Sequence, residues 1–436
     1  MGQRFVSLSS YWRLVRDNRN FRLLWTAQIV SELGDWLYSI TIYSLLLELT
    51  GRATAVALAV VLQVLPQFFI APAAGVLNDR ISRKRIMILA DLARAGIALG
   101  MLVGIRGGLV WHIYVLLIAE TVMWAFFEPA RNAVIPNITH GDEVLVANTL
   151  SSTTWSINLA IGAAVGGAVA VIFGRDTVFL INALSFAGSA LSIRAMKFSE
   201  PHLAEQVPLT AKDLTDFSPL IEGIRYILRE RRLLATLLVK AGLGLLGANW
   251  VILPIFGERI FPVHLSGLDS SRAGMLGMSI LVGARGIGSL LGPLASTYWA
   301  GQNEAKLRQG IFYGFLAAAV GYVGLGGAPS LGVALAAVIL GHAGGSIIWV
   351  FSTTLLQVHT DDRFRGRVFS ADYACLVLTN SVVSYCVGVL IDFGISVKLL
   401  AILTGLFGLG PAMAWAMAQR LWRPHSDNSV SNHRDS

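Results

Sequence analysis

Few ionisable side chains interrupt the apolar runs of this chain, and their types and spacing limit the chemistry available to it. In the first run Gln28, Glu32, Asp35 and Ser39 recur at intervals of four, three and four residues, which sets them along one face of a helix. Glu120 stands in the middle of a later run with Trp124 one turn on, Arg285 is central in another, and Lys240 and Asp372 lie nearer the ends of theirs. A charge at membrane depth is costly unless it faces protein or water, so each is a candidate for carrying a proton or holding a solute. The spacing predicts that Glu32, Asp35 and Glu120 line a central cavity, where burial and like charge would leave at least one of them exchanging protons near neutral pH. The competing arrangement is a buried ion pair with Arg285 that only locks two parts of the molecule together. Asp91 and Arg94, three residues apart and close to the end of a run, read as a structural or gating pair.

Polar stripes continue elsewhere: Asn148, Ser151, Trp155 and Asn158 in one run, His342, Ser346, Trp349 and Thr353 in another. Trp36, Trp155, Trp250 and Trp349 offer flat apolar surface to a bulky ligand, although for any single tryptophan interhelical packing or an interfacial belt is the favoured reading. His342 reads as a hydrogen-bonded helix residue. No metal-ligand spacing, nucleophile elbow or phosphate loop is present, and Gly283-Ala-Arg285-Gly286-Ile-Gly288 sits inside an apolar run, where packing explains its glycines. Neither a cofactor, a metal nor an enzymatic activity is expected. Cys375 and Cys386 share one run and stand about 16 Å apart along a helix, beyond disulfide reach.

The elements that must position these groups follow from composition. AVILMFWYC make up 55% of the chain and DEKR only 14%, with 44 glycines, a balance that points to lipid as the solvent and to closely packed helices. A span takes about 20 apolar residues, and twelve runs qualify, near 22–48, 54–77, 86–105, 110–130, 147–173 and 177–197, then 233–256, 272–299, 308–327, 331–357, 368–391 and 397–421. The fold class is therefore all-α and integral to a membrane: a segment 1–20, a six-helix bundle 21–197, a linker 198–232, a second six-helix bundle 233–422 and a polar tail 423–436 expected to be disordered. The basic start lacks a cleavable signal. The net charge of +8 sits in termini and short loops, so it argues for membrane orientation with both termini cytoplasmic and against nucleic acid. NAVIPNITHGDEVLVANTL, after the fourth run, is weakly repeated by TLLQVHTDDRFRGRVFSAD after the tenth, and duplicated halves are a mark of transporters.

Between the second and third runs stands Gly75-Val-Leu-Asn-Asp79-Arg80-Ile-Ser-Arg83-Lys84-Arg85. Gly75 would allow close helix contact, Asp79 would sit against a helix N-terminus or a basic partner, and the basic cluster would anchor the cytoplasmic face. The segment resembles the loop motif of the major facilitator superfamily, and the resemblance spans nearly the whole chain. It is closest to the branch of macrolide-efflux and enterobactin (siderophore) exporters, through Gly34-Asp35, Asp91-Leu-Ala-Arg94, Pro129-Ala130-Arg131 and Arg365-Gly366-Arg367-Val368-Phe369. Two positions depart from the pattern. Glu120 stands where many exporters carry an arginine, which weighs against the usual proton coupling, and Gly162-Ala163, followed by Gly166-Gly167, replaces the glycine-proline of the antiporter motif.

The resemblance implies two pseudo-symmetric six-helix bundles and a secondary active transporter of a bacterial inner membrane, working by alternating access. Proton-coupled export of a drug, macrolide or siderophore-like small molecule is expected, with the segment Gly75–Arg85 as a gating loop. The partners are then a small-molecule substrate, protons and the lipid bilayer, and the default state is a monomer. Import, transport of a lipid such as a lysophospholipid, and a non-transporting scaffold or sensor are the alternatives.

Overall fold

The computed structural model describes residues 8–141, 143–203, 213–301, 303–361 and 364–419. Residues 1–7 of the expected N-terminal segment, part of the linker and the whole tail 423–436 lie outside the described residues.

An amphipathic helix, α1 (Leu8–Asp17), precedes the first half, which is built from α2 (Arg19–Thr50), α3 (Ala53–Arg80), α4 (Arg83–Gly107), α5 (Val110–Ile138), α6 (Glu143–Phe173) and α7 (Arg175–Arg194). The linker contains α8 (Ser218–Arg229). The second half follows as α9 (Arg231–Leu245), α10 (Asn249–Ile255), α11 (Ser270–Ala300), α12 (Glu304–Gly326), α13 (Leu331–His359), α14 (Arg365–Asp392) and α15 (Val397–Ala418). No strand occurs among the described residues, as expected where every backbone group must be satisfied within its own segment.

Among the described residues eleven segments are long and apolar enough to cross a membrane, and α9 with α10 counts as one of them, Arg231–Ile260. The expected first span is absent from these by composition although α2 runs for 32 residues. Gln28, Ser31, Glu32 and Asp35 lower its hydropathy, so α2 depends on neighbouring helices to shelter a polar face. Local chemistry marks its ends. Asn18 accepts a hydrogen bond from the Phe21 N–H at 2.9 Å at the start, and Gly51, at φ 66°, closes the end by donating to the Leu47 carbonyl.

Several helices outrun the apolar stretches that signal them: α5 continues through Pro129 and Pro136 to Ile138, and α3 reaches Arg80. Within the halves α2 packs on α6 and α7, α4 on α5 and α7, and α13 on α11 and α12. The halves meet along α6 with α11 and α3 with α14. Small residues make the first of these seams: a Cβ on Gly167 would overlap the Ser279 side chain, and one on Gly286 would lie 2.4 Å from the Ala160 nitrogen, so the backbones approach as closely as glycine permits.

Two faces of the bundle are defined by contacts. On one, the linker face, Asn20 bonds the Lys197 carbonyl and Arg80 pairs with Asp213 of the linker. On the opposite face Arg175, Glu48 and Ser271 tie α7, α2 and α11 together, with Arg175–Glu48 at 2.8 Å and Ser271 Oγ to Glu48 at 2.6 Å. There too Asp392, ending α14, accepts the Ala53 and Thr54 N–H groups at 2.7 and 3.0 Å and so caps α3, while Arg259 donates to the Gly51 carbonyl.

Candidate functional site

Where the halves meet at mid-depth, an aromatic and cationic stack forms. Trp36 of α2 lies parallel to Trp250 of α10, centroids 6.2 Å apart and planes 10° apart, and the Arg285 guanidinium of α11 covers Trp250 at 3.4 Å. Trp155 of α6 meets the edge of Trp36 at 5.8 Å. The position of Trp250 has a local cause: between α9 and α10 the chain tightens into one 3-10 turn, Leu246–Ala248, and past Ile255 it loosens into a π turn. Interrupted helices of this kind turn side chains and backbone groups towards midplane sites. Ser39, Tyr43 and Asn249 join Trp36, Trp250 and Arg285 around a cleft with space for about one water molecule.

Glu32, Asp35 and Glu120, expected to line a central cavity, are not among the residues around this cleft. Three helical residues fall about 60° short of a full turn, enough to send Glu32 and Asp35 to different neighbours. Glu32 accepts from Gln28 at 2.8 Å and from Asn158 of α6 at 3.1 Å, and Gln28 in turn accepts from Arg131 at 2.9 Å. Arg131, held in a fork by Glu128, ends this relay. Asp35 turns to α4 and binds Arg94 at 2.6 Å. Asp91 lies 3.6 Å from the same guanidinium, and Glu120 faces it together with Tyr38. Asp91 and Arg94 are 0% and 3% exposed, so this pair is buried among the first-half helices.

Arg285 makes no ion pair among the described residues, which removes the alternative of a buried lock between it and a first-half carboxylate. Among the described residues of the second half, Lys240 and Asp372 form a buried acid–base contact at 3.5 Å, with Lys240 also over Trp349 at 3.6 Å and bonded to Thr353. Trp349 thus belongs to a separate cluster, and Trp124 is partly buried and outside the cleft lining. His342 bonds the Val338 carbonyl and the Tyr322 hydroxyl.

The expected gating loop is mostly helical. Gly75, Asp79 and Arg80 fall in the last turns of α3 and Arg83, Lys84 and Arg85 open α4, leaving Ile81 and Ser82 as the turn. Gly75 permits no close contact, since a Cβ there would meet nothing within 4 Å. Asp79 is exposed and 3.6 Å from Arg83, Arg83 also bonds the Ala133 carbonyl, and Lys84 bonds the Met196 carbonyl. Arg131, Glu128, Asn249 and Tyr43 were not singled out as site residues. A guanidinium three residues from a carboxylate inside an apolar run was the available signal for the first two, whereas Asn249 and Tyr43 gave none.

Residues 10–407 match the family model MFS_3, described as a transmembrane secretion effector. Macrolide efflux protein A of Streptococcus pyogenes is 28% identical over 289 residues, 63% of this chain and 67% of its own length. A protein of Bacillus subtilis named as a candidate bacilysin exporter, BacE, is 25% identical over 349 residues, 80% of this chain and 83% of its own length. Among solved structures, a POT family transporter in complex with a thioalcohol-conjugated peptide superposes with a TM-score of 0.71 over 92% of this chain and 96% of its own, at 13% identity, a likeness of fold.

Proposed function

Because the chain belongs to the transmembrane secretion effector family of major facilitator transporters, we propose that it exports a moderately large, partly apolar small molecule from the cytoplasm, driven by protons. The observation that carries this reading is the Trp36–Trp250–Arg285 stack, which joins one residue of the first half to two of the second at mid-depth. A flat cargo entering between the halves would replace the contact of Trp36 with Trp250, and the halves would then rock about that point. The ties at the opposite face support a conformer open towards the linker face, which in this reading is cytoplasmic and carries both termini of a monomer in a bacterial inner membrane. Asp35, Asp91 and Glu120 gather around one guanidinium, Arg94, and we assign the coupling proton to the carboxylate that this cation leaves unanswered. The names of the efflux relatives favour export of drug-like or peptide-derived compounds.

The test is accumulation of a panel of fluorescent drugs and siderophores in cells expressing the wild type or Trp250→Ala, with and without an uncoupler. Wild type should lower the accumulation of at least one compound, and both the uncoupler and the substitution should abolish the effect. Unchanged accumulation across the panel in wild-type cells would sink the export reading and direct attention to lipid substrates in vesicles.

A further inference from the structure

Among the described residues Arg285 is a cation without an anion. It is 8% exposed and central in α11, and the titratable groups near it are the hydroxyls of Tyr43 and Tyr322 and the imidazole of His342, with Ser39 and Asn249 sharing its cleft. Each of the titratable groups is engaged elsewhere: Tyr43 donates to Gln63 at 2.5 Å, and Tyr322 and His342 bond each other at 3.3 Å. Trp250 answers the charge through its ring face but supplies no acceptor for the guanidinium N–H groups. The contrast with Arg94 and Arg131 is plain, since both are held by carboxylates of their own half. A guanidinium in a membrane interior is stable with an anionic or hydrogen-bonding partner close at hand, and the cleft it faces is where such a partner would lie.

A second atom points the same way. Asn249, which also lines the cleft, donates its amide to the Leu246 carbonyl at 2.6 Å, while its Oδ1 is buried and has no hydrogen-bond partner among the described residues. Buried acceptors are rarely left without a donor. The cleft therefore offers a planar cation and a neutral acceptor beside two parallel indoles.

We propose that the cleft selects a cargo bearing an anionic group, bound by Arg285, next to an N–H or O–H donor for Asn249 and a flat apolar body for Trp36 and Trp250. This inference rests on the central cleft being the cargo site. A carboxylate or phosphate forms two parallel hydrogen bonds with a guanidinium, so the charge of the cargo, and not only its size, sets its affinity.

Three dansyl probes share one fluorophore and differ in charge: dansylglycine is anionic with an adjacent sulfonamide N–H, dansylglycinamide is its neutral counterpart, and dansylcadaverine is cationic. Their saturable fluorescence change is measured on the purified full chain in phosphatidylcholine nanodiscs. Dansylglycine should bind at least about tenfold more tightly than the amide, and the cation most weakly. Arg285→Gln should bring the first two within about twofold, and Arg285→Lys should retain part of the preference. Equal affinities in the wild type, a preference that survives Arg285→Gln, or no saturable binding of dansylglycine would each overturn the proposal. Trp250→Ala separates the two levels: loss of binding without any charge preference removes only the anion inference, whereas binding unchanged for all three probes removes the cleft as the cargo site. Displacement of dansylglycine, but not of the amide, by added phosphatidylglycerol would keep the anion site and assign it to a lipid headgroup, and persistence would assign it to a soluble anion.

Discussion

Among the described residues of the first half carboxylates exceed the cations that answer them, Asp35, Asp91 and Glu120 gathering round Arg94, whereas in the second half Arg285 has no carboxylate and Lys240 pairs with one, Asp372. The first-half groups are turned inward among their own helices, and Arg285 faces the seam between halves. Two solutes of opposite charge therefore need not compete for one group. On the proposed reading a proton is held in one half while an anionic cargo is held in the other, and relative movement of the halves links them. The relay from Glu128 through Arg131 and Gln28 to Glu32 and Asn158 adds a second charged chain to the first half, nearer the linker face.

This contrast can be broken most severely at Arg94. Replacing it with Gln would leave Asp91 buried and Asp35 partly buried with no cation, a loss on the order of 3 kcal/mol, read as a fall in melting temperature in detergent. Adding Asp35→Asn and Asp91→Asn should recover much of it, and an unshifted melting temperature in Arg94→Gln would show that charge does not hold the cluster. A smaller effect is expected at the seam. Gly286→Val would push a side chain against the Ala160 backbone, at a cost of about 1–3 kcal/mol, and part the halves at the opposite face. In a background lacking Cys375 and Cys386, a Ser279→Cys reporter should then react faster with an impermeant maleimide, and unchanged labelling would mean that the glycines do not seal this face. Asp392→Asn should weaken the cap on α3 by about 1 kcal/mol, with a correspondingly smaller rise in labelling. Least of all, Gly75→Ala should change stability by no more than about 0.5 kcal/mol, because nothing packs there; a large loss would restore this glycine to the close contact its motif implies.

The helices were legible because their apolar runs are long and the charges between them sparse, and the motif from Gly75 to Arg85 was legible as a pattern. Its geometry was not, since hydropathy marks where lipid ends and not where a helix does, and α3 continues through Asp79 to Arg80. Pairings across helices were hidden for a related reason. Nothing in the chain order links Asp35 to Arg94 or Gln28 to Arg131, whereas neighbours three or four apart on one helix can be read directly. Even the stripe on α2 misled, because residues sharing a broad face still answer to different neighbours, Glu32 to α6 and Asp35 to α4. Arg285 was visible as an isolated charge, but its lack of a carboxylate partner became apparent only once the surrounding helices were in place.

The division of labour between the halves is tested most directly by comparing uphill export with downhill exchange in proteoliposomes, using a compound that the wild type exports from cells. Glu120→Gln should abolish uphill transport driven by a proton gradient while preserving exchange down a cargo gradient, and Arg285→Gln should lose both. If Glu120→Gln abolished exchange as well, or Arg285→Gln left either process intact, proton and cargo would not be handled by separate halves.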